Sequence, residues 1–142
     1  MQVKIENAKL GQAIDLLFNM PLKGKKSRHR SKLVKLLQER LKEVGDQELD
    51  LIKEFAGEDE EGNPKRKEDG SFAIDNPKEF RQQQDELFEE EYVIDGGDAQ
   101  GMLKTVKEVL LNYDEELSGQ KAVIYDYLCD AFEEEETNKG SE

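Results

Sequence analysis

Cysteine and histidine occur once each in the chain, as Cys129 and His29. A lone cysteine excludes an intrachain disulfide and suits a reducing compartment such as the cytoplasm. Two such residues are too few for the Cys/His sets that hold zinc. His29 lies inside a basic run, with none of the shielded partners a general base needs, and reads as a surface residue surrounded by water. Cys129 lies among apolar residues at helical spacing and reads as a small core residue. No run of 18 apolar residues is present, so no helix is expected to span a membrane. Met1 to Glu6 alternate apolar and polar residues, which is not the pattern of a signal peptide.

The other familiar sites are missing too. Asp59-Glu60-Glu61-Gly62 and Asp69-Gly70 resemble fragments of a calcium loop, but the ligand register and the closing glutamate do not follow. Gly96-Gly97-Asp98-Ala99-Gln100-Gly101 precedes a helix, yet lacks the lysine and hydroxyl of a phosphate loop and the dinucleotide spacing. A turn with Asp98 as helix cap explains it. Carboxylate pairs do acid–base chemistry. Among 34 acids, no one pair stands out. The expectation is a non-enzyme with no metal and no cofactor.

What is abundant is charge, at 39% of residues against 35% hydrophobic. Such a chain buries a modest core, spread thinly along elongated elements. At 142 residues it is expected to form a single domain over 1–132, with an acidic, solvated tail over 133–142. The net charge of −13 is unevenly distributed. Residues 1–42 hold 11 Lys/Arg against three acids, Glu6, Asp15 and Glu39. Residues 43–142 hold the other 10 against 31 Asp/Glu, so +8 and −21 make up the total. A split of this size reports on partners, on stacking between copies, or on self-neutralisation within the fold.

Met1, Val3 and Ile5 alternate with polar residues and predict a short strand. Asn7 is placed to cap a helix through Leu10, Ile14, Leu17 and Phe18 to about Met20, broken by Pro21 and Gly24. A basic segment spans 23–42. Ser27 or Ser31 is placed to cap the next helix, whose Val34, Leu37, Leu41, Val44, Leu51 and Phe55 follow heptad spacing, with Gly57 as its stop. Asp69-Gly70, between short strand-like runs, predicts a β-hairpin within 58–76. Asn76-Pro77-Lys78-Glu79 is a helix start with a capping box, and Phe80, Leu87 and Phe88 mark its apolar side. Tyr92, Val93 and Ile94 predict a second strand, expected to pair with the first. Two more helices follow, one through Met102, Val106, Val109, Leu110 and Tyr113, the other from Ser118 through Ile124, Leu128 and Phe132. The fold class is mainly α with minor β: an antiparallel, coiled-coil-like helical hairpin with a β-hairpin tip, a short strand pair and C-terminal helices.

This order of parts resembles a family of small uncharacterised acidic proteins from tailed phages and prophages of Gram-positive bacteria. The resemblance rests on the first strand and helix, on Leu51-Ile52-Lys53-Glu54-Phe55, Glu60-Glu61-Gly62-Asn63 and Glu68-Asp69-Gly70-Ser71-Phe72, and on the Phe80–Phe88 helix running into Tyr92-Val93-Ile94. It covers about residues 1–95 and carries no catalytic residues to transfer. It implies a phage setting. The expected function is that of a non-catalytic accessory protein that binds a phage or host protein in assembly, lysis or host interaction. The expected location is the host cytoplasm, or the virion. An exposed aromatic beside cations makes a good anchor, which points to Lys65, Arg66, Lys67 and Phe72 at the tip. In the basic segment Lys25, Lys26, Arg28 and Arg30 are the candidates. The segment has no interleaved aromatics and matches no nucleic-acid-binding motif, so a protein partner, or the chain's own acidic helices, is favoured over nucleic acid, and a homo-oligomer is a further expectation. Two alternatives stay open. The acidic runs Glu58–Glu61, Glu86–Glu91, Asp114–Glu116 and Glu133–Glu136 would imitate the phosphates of a duplex and inhibit a host defence nuclease, or the basic segment would bind nucleic acid directly.

Overall fold

The computed structural model describes residues 1–140, the side chains of Asp98 and of 134–140 excepted. Strand β1 (Val3–Glu6) leads through a 3-10 turn (Asn7–Lys9) into α1 (Leu10–Phe18). The long helix α2 (Gly24–Ala56) and α3 (Pro77–Glu89) follow, with a connector between them. Strand β2 (Glu91–Ile94), a second 3-10 turn (Gly97–Ala99), α4 (Gln100–Leu111) and α5 (Gly119–Gly140) complete the order. The fold is mainly α with a two-stranded antiparallel sheet. Among the described residues, no helix is long and apolar enough to cross a membrane.

The strands pair as the alternation predicts, Val3 with Ile94 and Ile5 with Tyr92. Period two sends Val3, Ile5 and Ile94 inward and leaves Lys4 and Val93 outside. Beneath that face lie Leu10, Ala13, Leu16 and Leu17 of α1, Leu33, Val34, Leu37 and Val44 of α2, Leu103, Val106 and Leu110 of α4, and Ile124, Leu128 and Phe132 of α5. The heptad reading of α2 holds only in part. Leu33 is fully buried and Leu41 is 37% exposed, so the first half of α2 presents the broad face of a globular-core helix rather than a narrow seam. Beyond Val44 it leaves the core and meets α3 and the connector. Phe55 meets Phe80 edge to face at 5.6 Å and Gln84 donates to Glu48 at 3.0 Å, while nearer the body Arg40 lies 5.7 Å from the Tyr92 ring of β2. As α2 numbers rise, α3 numbers fall, which is the antiparallel hairpin expected.

Several expected helix ends are corrected. Asn7 is not a cap. It is 1% exposed, donates from Nδ2 to the Leu87 carbonyl at 2.8 Å and accepts from Arg40 Nε at 3.2 Å. Its own N–H donates to the Glu90 carbonyl at 2.8 Å. One amide thus ties β1 to α2 and α3, and tertiary contact takes the place of the local cap. Helix α1 stops at Phe18, two residues short of Met20, whose N–H turns back to the Leu17 carbonyl. Helix α2 starts at Gly24, before either serine, and Ser27 instead accepts from Arg30 at 3.3 Å. The Asp98 cap falls on a side chain outside those described, and the residue preceding α4 is Ala99. In the expected tail, helical backbone runs on to Gly140, and the side chains of 134–140 and all of 141–142 lie outside the described residues. His29 is also not the water-surrounded residue expected: it is half-buried, and its Nδ1 is fully buried with no hydrogen-bond partner.

Helices α4 and α5 are joined by a phenol. Tyr125 donates its hydroxyl to the Leu110 carbonyl and packs against Tyr113 at 5.7 Å. Burial, with Cys129 adding to it, pushes the Tyr125 phenol up to about 12. Cys129 itself is half-buried against the core.

Two outcomes follow from this packing. Asn7→Ala strips partners from a buried carbonyl and a guanidinium N–H, and should cost about 1–3 kcal/mol in urea unfolding. Val93→Ala, on the outer face of the same sheet, should stay within about 0.5 kcal/mol. Tyr125 should ionise above the ordinary tyrosine range in an ultraviolet titration. Its folded value lies above the ordinary value of 10.0. Its contribution to stability is therefore complete below pH 10 and lost as pH rises through about 12. Tyr125→Phe should remove that high step.

Candidate functional site

The outer half of the α2–α3 hairpin contributes nothing to the core. No residue from 45 to 86 belongs to the buried cluster or packs against it. This arm ends in the connector 57–76, built from tight turns rather than from a regular hairpin. The expected β-hairpin reduces to two isolated antiparallel bridges, Glu58 with Pro64 and Arg66 with Phe72.

The first turn is set by Asp59. Its Oδ1 accepts from the N–H groups of Glu61 at 2.9 Å and Asn63 at 3.0 Å, while its own N–H donates to the Asn63 carbonyl at 2.8 Å. Such an Asx arrangement lets a side chain replace a missing backbone partner. Gly62 completes it at φ +82, where other residues are strained. The second turn repeats the chemistry around Asp69, whose Oδ1 accepts from Ser71 Oγ at 2.6 Å and Ser71 N–H at 3.0 Å. Those two bonds, helped by Lys67, hold the Asp69 carboxyl below the usual carboxylate range. Ala73 N–H donates to the Lys65 carbonyl and Asp75 N–H to the Phe55 carbonyl, both at 2.9 Å, so the connector returns to the outer end of α2. There Asn76 caps α3: its Oδ1 accepts from Glu79 N–H at 3.4 Å, and its Nδ2 donates to the Glu79 carboxylate at 2.8 Å.

These turns bring the tip candidates together. Arg66 donates to the Gly70 carbonyl at 2.6 Å and lies 4.3 Å from the centre of the Phe72 ring. Phe72 is half-buried rather than a free aromatic, and its ring is covered by the guanidinium. Lys65 and Lys67 are exposed, and the Lys65 stem passes close to Gly57. Beside them runs a groove of about 390 Å³ lined by Leu49, Asp59, Asn63, Pro64, Arg66 and Phe72. Leu49 is 40% exposed. Sequence reasoning did not include Leu49, Asp59, Asn63 and Pro64. The Asp-x-x-Gly spacing of 59–62 was the available signal for the first turn, but nothing local joins it to Leu49 on α2.

The basic candidates lie elsewhere. Lys25, Lys26 and Arg28 are exposed at the start of α2, some 45 Å from Phe55 by the rise of the helix. Arg30 is used within the chain. Its Nη1 donates to the Leu17 carbonyl at 2.8 Å and to the Met20 carbonyl at 2.7 Å. It closes the carbonyl end of α1, where a cation also favours the helix dipole. A second cleft, of about 350 Å³, lies between the end of α1 and the α4–α5 loop, with Asp15, Asn19, Tyr113, Glu115 and Lys121 in its lining. Among the described residues no cluster of three His, Cys, Asp or Glu could hold a metal ion.

The fold and its tip define a class: a small helical protein with a two-stranded sheet and an arm of two antiparallel helices that presents an ordered double turn. The chain belongs to the family described as protein of unknown function (DUF1617), whose model matches residues 1–141. No curated protein and no solved structure matches it.

The contrast between two arginines tests the assignment. Arg30→Ala should lower stability by about 1.5–3 kcal/mol, because the Leu17 carbonyl at the end of α1 and the Met20 carbonyl beyond it lose a charged donor. Arg28→Ala, exposed two residues earlier, should stay within about 0.5 kcal/mol. Thermal and denaturant unfolding of the two variants measures both.

Proposed function

We propose that the protein acts without catalysis, as a phage or prophage accessory protein that binds another protein through the tip of its arm. One observation carries this reading: the arm from 45 to 86 adds nothing to the core and ends in an ordered cluster in which Arg66 covers Phe72. A segment with no part in the core, yet closed by side-chain bonds at Asp59 and Asp69, is built to present a surface. An aromatic and an arginine in one patch are the residue types that dominate protein interfaces. The neighbouring groove adds apolar contact from Leu49 and Pro64 beside the polar groups of Asp59 and Asn63. The partner is a phage or host protein met in assembly, lysis or host interaction. The setting is the cytoplasm of the host cell, or the virion.

The test is affinity capture from infected and lysogenic bacterial cells, with mass spectrometry, using the parent chain and a Lys65→Ala/Lys67→Ala/Phe72→Ala variant. The parent should retain a virion, tail, lysis or host protein that the variant loses. Lys65→Ala/Lys67→Ala alone should leave stability within about 0.5 kcal/mol, since both side chains are exposed. Equal capture by parent and triple variant would move the contact away from the tip. A nuclease as the main partner, retained by the triple variant, would instead favour inhibition by the acidic surface.

A further inference from the structure

The solvent side of α2 carries a charge pattern that the fold leaves unused. Leu33, Leu37 and Val44 define the buried side of the helix. At 3.6 residues per turn, Lys25, Arg28, Lys32, Lys35, Glu39 and Lys42 fall in one stripe opposite to it. Their spacing alternates three and four, and all six are exposed. Glu43, Asp46 and Asp50, also exposed, continue the same stripe. The face is thus positive through Lys42, Glu39 excepted, and negative from Glu43 to Asp50. Among the described residues the ion pairs of α2 are Arg40 with Glu43 at 3.5 Å and Lys53 with Glu58 at 3.9 Å. Lys25, Arg28, Lys32, Lys35, Lys42, Asp46 and Asp50 have no ion-pair or hydrogen-bond partner there.

We propose that two copies of the chain pair along this face, antiparallel, about a two-fold axis near Glu39. A register that sets Glu39 beside its counterpart brings Arg28 opposite Asp50, Lys32 opposite Asp46 and Lys35 opposite Glu43. The two-fold repeats each pair, as in any isologous contact. The acid on the axis has Lys35 and Lys42 one turn away on either side. Two like-charged matches occur: Glu39 with its own counterpart on the axis, flanked by those lysines, and Lys25 opposite Lys53, which Glu58 already holds in the same chain. Antiparallel helices also set each positive helix end against a negative one. The occupant is a second copy rather than a polyanion, because the face changes sign along its length. A continuous row of phosphates would meet Glu43, Asp46 and Asp50, in the field of a chain of net charge −13. The contact is charged along its whole length, so it is weak and sensitive to salt.

Three variants of the full chain test this: Arg28→Glu/Lys32→Glu/Lys35→Glu, Glu43→Lys/Asp46→Lys/Asp50→Lys, and the two sets combined. Circular dichroism checks that each remains folded, and sedimentation at low and high salt reads the assembly. The parent should form a dimer at low salt that weakens by roughly tenfold or more at about 1 M salt, where the screening length falls to ~3 Å. Each single-set variant should be monomeric. An equimolar mixture of the two should pair, and the combined variant should recover the dimer. The proposal is overturned by a parent that stays monomeric at low salt, whether or not it then binds duplex DNA in a parallel titration. It is equally overturned by a dimer that both reversals leave intact, or by folded variants that fail to complement each other.

Discussion

The constraint on which the rest of this structure depends is a helix longer than the core it packs on. Helix α2 runs from Gly24 to Ala56, but its buried residues end at Val44. With 35% hydrophobic residues, the chain cannot cover both halves of such a helix. It gathers its apolar side chains around the first half, where α1, α4, α5 and the sheet close over Leu33 and Leu37. The second half is left to α3, with one aromatic pair and one side-chain hydrogen bond across the hairpin. The arm follows from this distribution of apolar residues rather than from a separate folding unit.

Such a division places demands on the boundary between body and arm, and polar groups meet them. Asn7 sits at that boundary and joins β1, α2 and α3 through a single amide. Arg40 donates to it, pairs with Glu43 and lies beside the Tyr92 ring, so one guanidinium serves three neighbours. Burial raises the Tyr92 phenol, and the nearby Glu43 and Glu39 add to the effect while Arg40 opposes it. Arg30 plays the corresponding part at the far side of the body, closing the end of α1 from within α2. A thin core of this kind is oriented by a few directional bonds, each of which costs more to leave half-made than it contributes when complete.

What the sequence made legible is what short-range periodicity encodes. The alternation of Met1 to Glu6, the 3.6-residue spacing around Leu103 and Leu110, the Gly57 stop and the Asn76-Pro77 start all stand in the structure. The pairing of β1 with β2 could be argued as well, because two short amphipathic strands in a helical chain have few other partners. What failed were assignments that competed with long-range contact. Asn7 and Ser27 have the chemistry of helix caps, and each is drawn instead to an arginine distant in sequence or one turn on. Arg30 looked equivalent to Arg28 in a run of cations, and only the turn at Pro21–Gly24 brings it over the carbonyls of α1. The candidate site was half legible. The tip cations and Phe72 are contiguous and could be named, whereas the groove needs Leu49 on α2, which no local spacing links to Pro64.

The same division of the chain bears on how the proposed binding surface can change. Each turn of the tip is closed by bonds within a few residues, from Asp59 to Asn63 and from Asp69 to Ser71. These groups face water, so their individual contributions to global stability are small. The residues between them can therefore vary in charge and shape without disturbing Leu33, Leu37 or Phe132. The body lacks that freedom, because Asn7, Arg40 and Arg30 each satisfy groups on two or more elements. A protein built this way separates the residues that hold the fold from those of the proposed binding surface. The length of α2 sets the distance between them.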